Sequence, residues 1–200
     1  MRLIAEDLAC VRGGRPVFHG VGCAVGAGET LLVTGPNGAG KTSLLRLLAG
    51  LLRPAAGSIR IEGGASSSGE AAHFLGHHDC LKGALTAEEN LEFVGALAGG
   101  GGETIGAALG RLGLAPIASF PARELSMGQR RRLALARLLV TPRPLWLLDE
   151  PTAALDADGQ TTFMALANSH LERGGILVAA THLPLGFSRS QTIELGGTRR

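Results

Sequence analysis

The stretch that most constrains this chain is Leu31-Leu32-Val33-Thr34-Gly35-Pro36-Asn37-Gly38-Ala39-Gly40-Lys41-Thr42. A short apolar, β-prone run leads into a glycine-rich turn. Lys-Thr then opens an apolar helix, predicted from Ser43 to about Leu52. The pattern G-x-x-x-x-G-K-T between a strand and a helix is a phosphate cradle. Glycines at 35, 38 and 40 let backbone N–H groups converge on phosphate oxygens without Cβ obstruction. The following helix points its positive dipole end at the same anion. Lys41 supplies a mobile charge for β- and γ-phosphates, and Thr42 a hydroxyl for Mg²⁺. Gly35, Pro36, Asn37, Gly38, Ala39, Gly40, Lys41, Thr42 and Ser43 are therefore the candidate residues for holding a nucleoside triphosphate.

Composition narrows the class. A chain of 200 residues suits one domain, which at this size buries roughly 70% of the unfolded chain's surface. A net charge of +2 is too small for a dedicated nucleic-acid or anionic-membrane binder. Cys10, Cys23 and Cys80 are odd in number and lack C-x-x-C spacing, which argues for a reducing compartment and against a zinc site. Leu8-Ala9-Cys10 looks like a lipoprotein cleavage site, but Glu6 and Asp7 stand where an apolar segment is needed. No apolar run approaches the ~18–20 residues that span a bilayer. A cytosolic chain is expected, reaching a membrane only through a partner.

The order of elements predicts a mixed α/β fold. Residues 2–11 and Val17–Val25 read as strands joined by a turn at 12–16, an antiparallel opening. Ser58–Glu62 alternates as an edge strand, and 63–69 reads as a surface loop. Thr86, with Glu89 three residues on, starts a helix with a capping box. Gly99–Gly102 reads as a flexible connection and Glu103–Leu112 as another helix. Residues of about 80–125 thus form a helical insertion. A further helix is expected from about Met127 to Leu139. Leu145–Leu148 and Ile176–Ala180 are continuously apolar, the mark of buried parallel strands. A helix over 158–172 separates them, and a last strand is expected near Gln191–Leu195. In such sheets ligands bind at the carboxyl ends of strands, where the phosphate loop, Asp149-Glu150 and His182 all fall.

Asp149, ending a hydrophobic strand, is placed to hold Mg²⁺ through its water shell beside Thr42. Glu150 is the candidate to polarise the attacking water. Two acids could merely cap a strand, but the phosphate loop makes the catalytic reading the stronger one.

Leu125-Ser126-Met127-Gly128-Gln129 resembles the L-S-G-G-Q motif of ATP-binding cassette (ABC) ATPases, with methionine for the first glycine. It precedes the Asp-Glu strand by about twenty residues, as in that superfamily. Asp156 matches the D-loop and His182 the switch histidine, so the resemblance covers essentially the whole chain. It implies a phosphate-loop NTPase fold, a single ABC nucleotide-binding domain over 1–200 with an N-terminal antiparallel β subdomain and an inserted helical subdomain. It also implies a head-to-tail dimer of two copies. Each ATP would lie between one chain's phosphate loop and Ser126 and Gly128 of the other. His182 would hold the γ-phosphate and orient the water with Glu150.

Two positions depart from the family pattern. The aromatic residue that stacks on adenine falls on Arg12, and no tyrosine exists in the chain; a guanidinium plane can stack on a base. The Q-loop glutamine falls on His77, followed by His78. With Cys10–Arg15, Gly76–Lys82, Gln129–Leu133 and Thr181–Leu185, these departures look like the haem-exporter ATPases of bacterial cytochrome c maturation. That subfamily implies membrane subunits of B, C and D type, an indirect link to a haem chaperone, and a peripheral position on the cytoplasmic face of the inner membrane. Haem handling rests on resemblance alone.

Blander readings compete at several residues. His77 and His78 fit a nucleotide-sensing loop or plain surface better than haem ligation. Arg130-Arg131-Arg132 fits the neighbourhood of the partner's γ-phosphate or a solvated helix face. Trp146 reads as core, and Cys80 as a buried small hydrophobe. The alternative function is the ATPase of another small exporter or lipoprotein-release-type system. A DNA- or ribosome-acting cassette lacks room in 200 residues, and a phosphate-loop kinase leaves Leu125–Gln129 without a role.

Overall fold

The computed structural model describes residues 1–63, 68–182 and 185–196. The readings that touch residues 64–67 and Leu183-Pro184 lie outside that range. The chain divides into two compact units, one of Met1–Gly76, Arg143–Pro151 and Ala167–Arg200, the other of His77–Pro142 and Thr152–Leu166.

In the first unit, strands β1 (Arg2–Arg12) and β2 (Arg15–Gly26) form an antiparallel hairpin, and β4 (Ala56–Glu62) pairs with the other edge of β1. This gives a three-stranded sheet ordered β2-β1-β4. Leu3, Ile4, Ala5, Leu8 and Cys10 of β1 are buried. The weak alternation of β1 has a geometric cause. Its register shifts between Ala5 and Leu8 around Asp7, whose φ is +48°, so a bulge resets which face points inward.

The second sheet of this unit is entirely parallel and runs β5-β6-β7-β3-β8. Its strands are β3 (Thr30–Thr34), β5 (Ala72–Leu75), β6 (Leu145–Asp149), β7 (Ile176–Ala180) and β8 (Ser190–Glu194). All five residues of β6 and all five of β7 are buried, as continuous apolar runs require of inner parallel strands. Strand β5 is not apparent in the sequence. Its four residues, Ala72-His73-Phe74-Leu75, become a strand by pairing with Leu145–Leu148 of β6. Helix α1 (Lys41–Leu48) packs on β6 and β7 and stops short of the predicted Leu52; Gly50 follows it, a residue type that closes helices. A single helical turn, α2 (Ser68–Ala71), occupies part of the expected 63–69 loop.

In the second unit, α3 (Ala87–Ala98), α4 (Ile105–Arg111) and α5 (Met127–Val140) pack on one another. The capping box at Thr86 and Glu89 is formed. The connection at Gly99–Gly102 is less free than expected: Gly102 and Glu103 donate backbone hydrogen bonds to Val140 and Leu139, tying it to the end of α5. Helix α6 (Ala157–Glu172) has residues in both units.

Candidate functional site

Strand order builds the first group of candidate residues. β6, β7 and β3 are neighbours, so the segments leaving their carboxyl ends emerge side by side. Backbone hydrogen bonds carry the ladder just past the strands: Glu150 N–H to Ala180 O at 2.9 Å, Thr181 N–H to Val33 O at 3.2 Å and Leu195 N–H to Thr34 O at 2.9 Å. The phosphate loop therefore departs from a fixed edge. Gly35 leaves β3 with φ +133°, and a Cβ there would stand 2.2 Å from the carbonyl oxygen of Leu195. No other residue fits. Asn37 and Gly38 are exposed at the crest of the loop. Helix α1 opens with Leu44 N–H to Gly40 O at 2.8 Å, so the N–H groups of Lys41, Thr42 and Ser43 have no partner within the helix.

Lys41 is buried, and its ammonium donates to the carbonyls of Gly35 (2.8 Å) and Pro36 (3.2 Å). It also lies 3.1 Å from Nε2 of His182. An ammonium only donates, so Nε2 accepts and the ring proton of His182 sits on Nδ1. The same Nε2 is 3.7 Å from Oε1 of Glu150. Glu150 holds a φ of +47°, rare for a residue with a side chain. The Thr42 hydroxyl donates to Oδ2 of Asp149 at 2.6 Å, and Asp149 is buried. A hydroxyl beside a carboxylate is the hard-oxygen donor set magnesium takes. Few protein oxygens suffice, since that ion keeps most of its waters. Among the described residues no cluster of three His, Cys, Asp or Glu side chains gathers as a metal cage.

A separate group of candidate residues lies within the helical unit. Ser126 is the N-cap of α5, and its hydroxyl accepts from Gln129 N–H at 3.2 Å. The Gln129 side chain accepts from Ser126 N–H at 2.8 Å. The L-S-x-G-Q segment is thus a capping box, legible as S-x-x-Q but not anticipated. The box locks the turn from which the Gly128 N–H points outward along the helix dipole. Gly128 passes close to the loop before α6, where a Cβ would lie 3.0 Å from the Ala154 carbonyl oxygen. Ser126, Gly128, Gln129, Arg132, Ala154 and Asp156 line one concavity of about 400 Å³. In it Arg132 pairs with Asp156, which also accepts from Gly159 N–H at 2.9 Å. These two contacts, the Gly159 N–H first, hold the Asp156 carboxyl below its usual range. Sequence reasoning left Arg132 between two roles; here its cation faces a carboxylate of its own chain.

A family model described as "ABC transporter" matches residues 18–153. The chain belongs to the ABC transporter family. Curated relatives share most of its length. The cytochrome c biogenesis ATP-binding export protein CcmA of Nitrobacter winogradskyi is 55% identical over 199 residues, covering 98% of this chain and 99% of its own. The protein of that name from Rhizobium meliloti is 50% identical over 204 residues, with 98% and 99% covered. Among solved structures, an ATP-binding subunit of an ABC transporter matches with a TM-score of 0.84 at 23% identity, over 98% of this chain and 86% of that one. A dimeric ATP-binding cassette in a post-hydrolysis state, bound to ADP and Pi, matches with a TM-score of 0.82 over 98% and 97%. These structural likenesses establish the ABC fold.

The family match takes in the phosphate loop, Ser126–Gln129 and Asp149-Glu150 but neither Arg12 nor His182. His182 is nonetheless brought to Lys41 and Glu150 by the end of β7. Arg12 closes β1 opposite Arg15 and is exposed, in the hairpin whose Val17 and Phe18 lie against Gly40. His77 and His78 are exposed with rings edge to face, centroids 5.6 Å apart. Cys80 is also exposed, with φ +53°, contrary to the buried position expected of it. Trp146 is core, as expected, within β6 itself.

Proposed function

We propose that this ABC protein is the ATP-hydrolysing subunit of a membrane complex for cytochrome c biogenesis, coupling hydrolysis to haem export or to release of a haem-loaded chaperone. The observation that carries the chemistry is the meeting of Lys41, Thr42, Asp149, Glu150 and His182 at three adjacent strand ends. The relatives named for cytochrome c biogenesis, at 50–55% identity over nearly the full chain, carry the biological role.

In this reading the loop N–H groups from Gly35 to Ser43 and the Lys41 ammonium bind the β- and γ-phosphates of ATP. Thr42 and Asp149 hold Mg²⁺, which would neutralise charge between the phosphates. His182, leaving Lys41 as nucleotide enters, holds a γ-phosphate oxygen and orients the attacking water with Glu150. Glu150 accepts a proton from the attacking water. Ser126 and Gly128 face the γ-phosphate held by a second copy, so ATP closes a head-to-tail dimer and hydrolysis opens it. Arg12 stacks on the base, and His77 reports on the nucleotide. The domain spans 1–200 with its helical part near 80–125. No helix among the described residues is long and apolar enough to cross a membrane. The subunit sits on the cytoplasmic face of the inner membrane by docking on integral partners of B, C and D type.

The test replaces the native protein with Glu150→Gln in cells and stains membranes for covalently bound haem. Loss of c-type cytochromes, with the haem chaperone still loaded, is the expected result. Normal c-type cytochromes would remove the biogenesis role and leave the ATPase chemistry.

A further inference from the structure

The loop that carries His77 and His78 is gripped by the helix that carries the signature serine. Arg131 of α5 is almost fully buried, its side chain 5% exposed, and its Nη1 lies 3.0 Å from Oδ1 of Asp79. Arg137, six residues further along α5, donates from Nη1 to the backbone carbonyl of the same Asp79 at 3.3 Å. Two guanidinium groups of one helix thus converge on one loop residue. The far end of the loop is fixed as well. Buried Asn90 accepts from Lys82 N–H (2.8 Å) and donates to the carbonyls of Lys82 (3.1 Å), Leu85 (3.2 Å) and Thr86 (2.8 Å). Residues 77–82 have no regular structure of their own, so contacts such as these hold them in place.

A cation buried this deeply is stable only with its partner. Removing Asp79 takes a carboxylate from beside buried Arg131, whereas removing both charges need not cost stability. The pair therefore spends its strength on orientation: it sets where α5 lies relative to residues 77–80, and α5 begins at Ser126. We propose that Asp79 and Arg131 are positioning residues for ATP-driven dimer closure. They bind the histidine loop and the Ser126–Gly128 turn into one rigid piece, so that neither moves without the other. This rests on the head-to-tail reading given above, in which Ser126 and Gly128 meet the other copy's nucleotide.

The experiment uses the full chain with Glu150→Gln, and follows ATP-driven dimerisation by size-exclusion chromatography alongside ATP affinity of the single chain. Asp79→Asn is expected to leave ATP affinity within about threefold and to weaken dimerisation roughly tenfold, the range of a distant coupling. Asp79→Glu is expected to restore most of the loss. The double variant Asp79→Asn with Arg131→Met separates position from stability. A thermal midpoint like the parent's, with the dimerisation defect retained, supports a positioning role. Full recovery of dimerisation in that double variant overturns it, because the single variant then failed only by taking a carboxylate from beside a buried charge. Ser126→Ala supplies the control. If it abolishes dimerisation while Asp79→Asn has no effect, the positioning proposal falls and the head-to-tail reading stands. Absence of any ATP-driven dimer in the Glu150→Gln parent overturns both.

Discussion

The Thr42 hydroxyl donates a 2.6 Å hydrogen bond to Oδ2 of Asp149, joining the first turn of α1 to the end of β6 across 107 residues. The bond aligns two oxygens from different elements at one point, the place proposed here for Mg²⁺. Asp149→Asn keeps the shape but removes the negative charge from that pair of oxygens. Magnesium titrations of ATPase activity are expected to show apparent Mg²⁺ affinity lower by on the order of 10–100-fold in Asp149→Asn and Thr42→Val, as for other groups that orient a metal's shell. An unchanged Mg²⁺ dependence in both variants would move the metal elsewhere.

Lys41 ties the carbonyls of Gly35 and Pro36 through its ammonium, and in the proposed function it also meets the phosphates. Lys41→Ala removes both a charge and the loop's internal brace. Equilibrium binding of ATP is expected to weaken roughly 100-fold or more, the scale of a lost charge-assisted bond with its preorganisation. Binding within threefold of the parent would show that the loop amides suffice.

Glu150→Gln should separate binding from turnover. The amide preserves size and the contact region of His182 but cannot take a proton. Hydrolysis is expected to fall on the order of 10²–10⁴-fold, with ATP retained in a dimeric species. Turnover at the parent rate would remove Glu150 from the base role.

His170 lies flat on Trp146, ring centroids 3.9 Å apart and planes 9° from parallel, with Nε2 3.2 Å from Ile176 O. Burial, opposed by that hydrogen bond, pushes its pKa down from 6.5 to about 4. The unfolded chain therefore takes up a proton below about pH 6.5 that the folded chain refuses until about pH 4, and stability falls as pH drops through that window. Urea unfolding should give about 2 kcal/mol less stability from this group at pH 5 than at pH 7.5. His170→Phe keeps the stack and should flatten that part of the acid limb. An unchanged slope would assign the acid sensitivity to other groups.

Gly35→Ala tests the rigidity of the sheet edge. The new methyl meets the backbone oxygen of buried Leu195, which no rotamer change can relieve. A loss of about 2 kcal/mol or more in chemical denaturation is expected, from positive φ and overpacking together. A neutral effect would mean that β8 shifts freely against the phosphate loop.

Much of this protein was legible because its chemistry is local. The phosphate loop, the apolar run before Asp149-Glu150 and the Ser126–Gln129 segment each encode a strand, a turn or a cap within a dozen residues, where steric and hydrogen-bond rules act on neighbours. The all-buried strands β6 and β7 followed from uninterrupted apolar residues for the same reason. The capping box at Ser126 and Gln129 is equally local. Local segments therefore specify the set of elements and the chemical groups they carry. Tertiary structure decided the rest. Ala72–Leu75 is a strand only because β6 offers an edge, and Cys80 is exposed next to an Asp79 that faces Arg131 and Arg137. Arg132 faces Asp156, and His182 reaches Lys41 across 141 residues, through contacts no local rule reports. Those pairings depend on which strands lie side by side, and that order is a property of the packed sheet rather than of any segment in it.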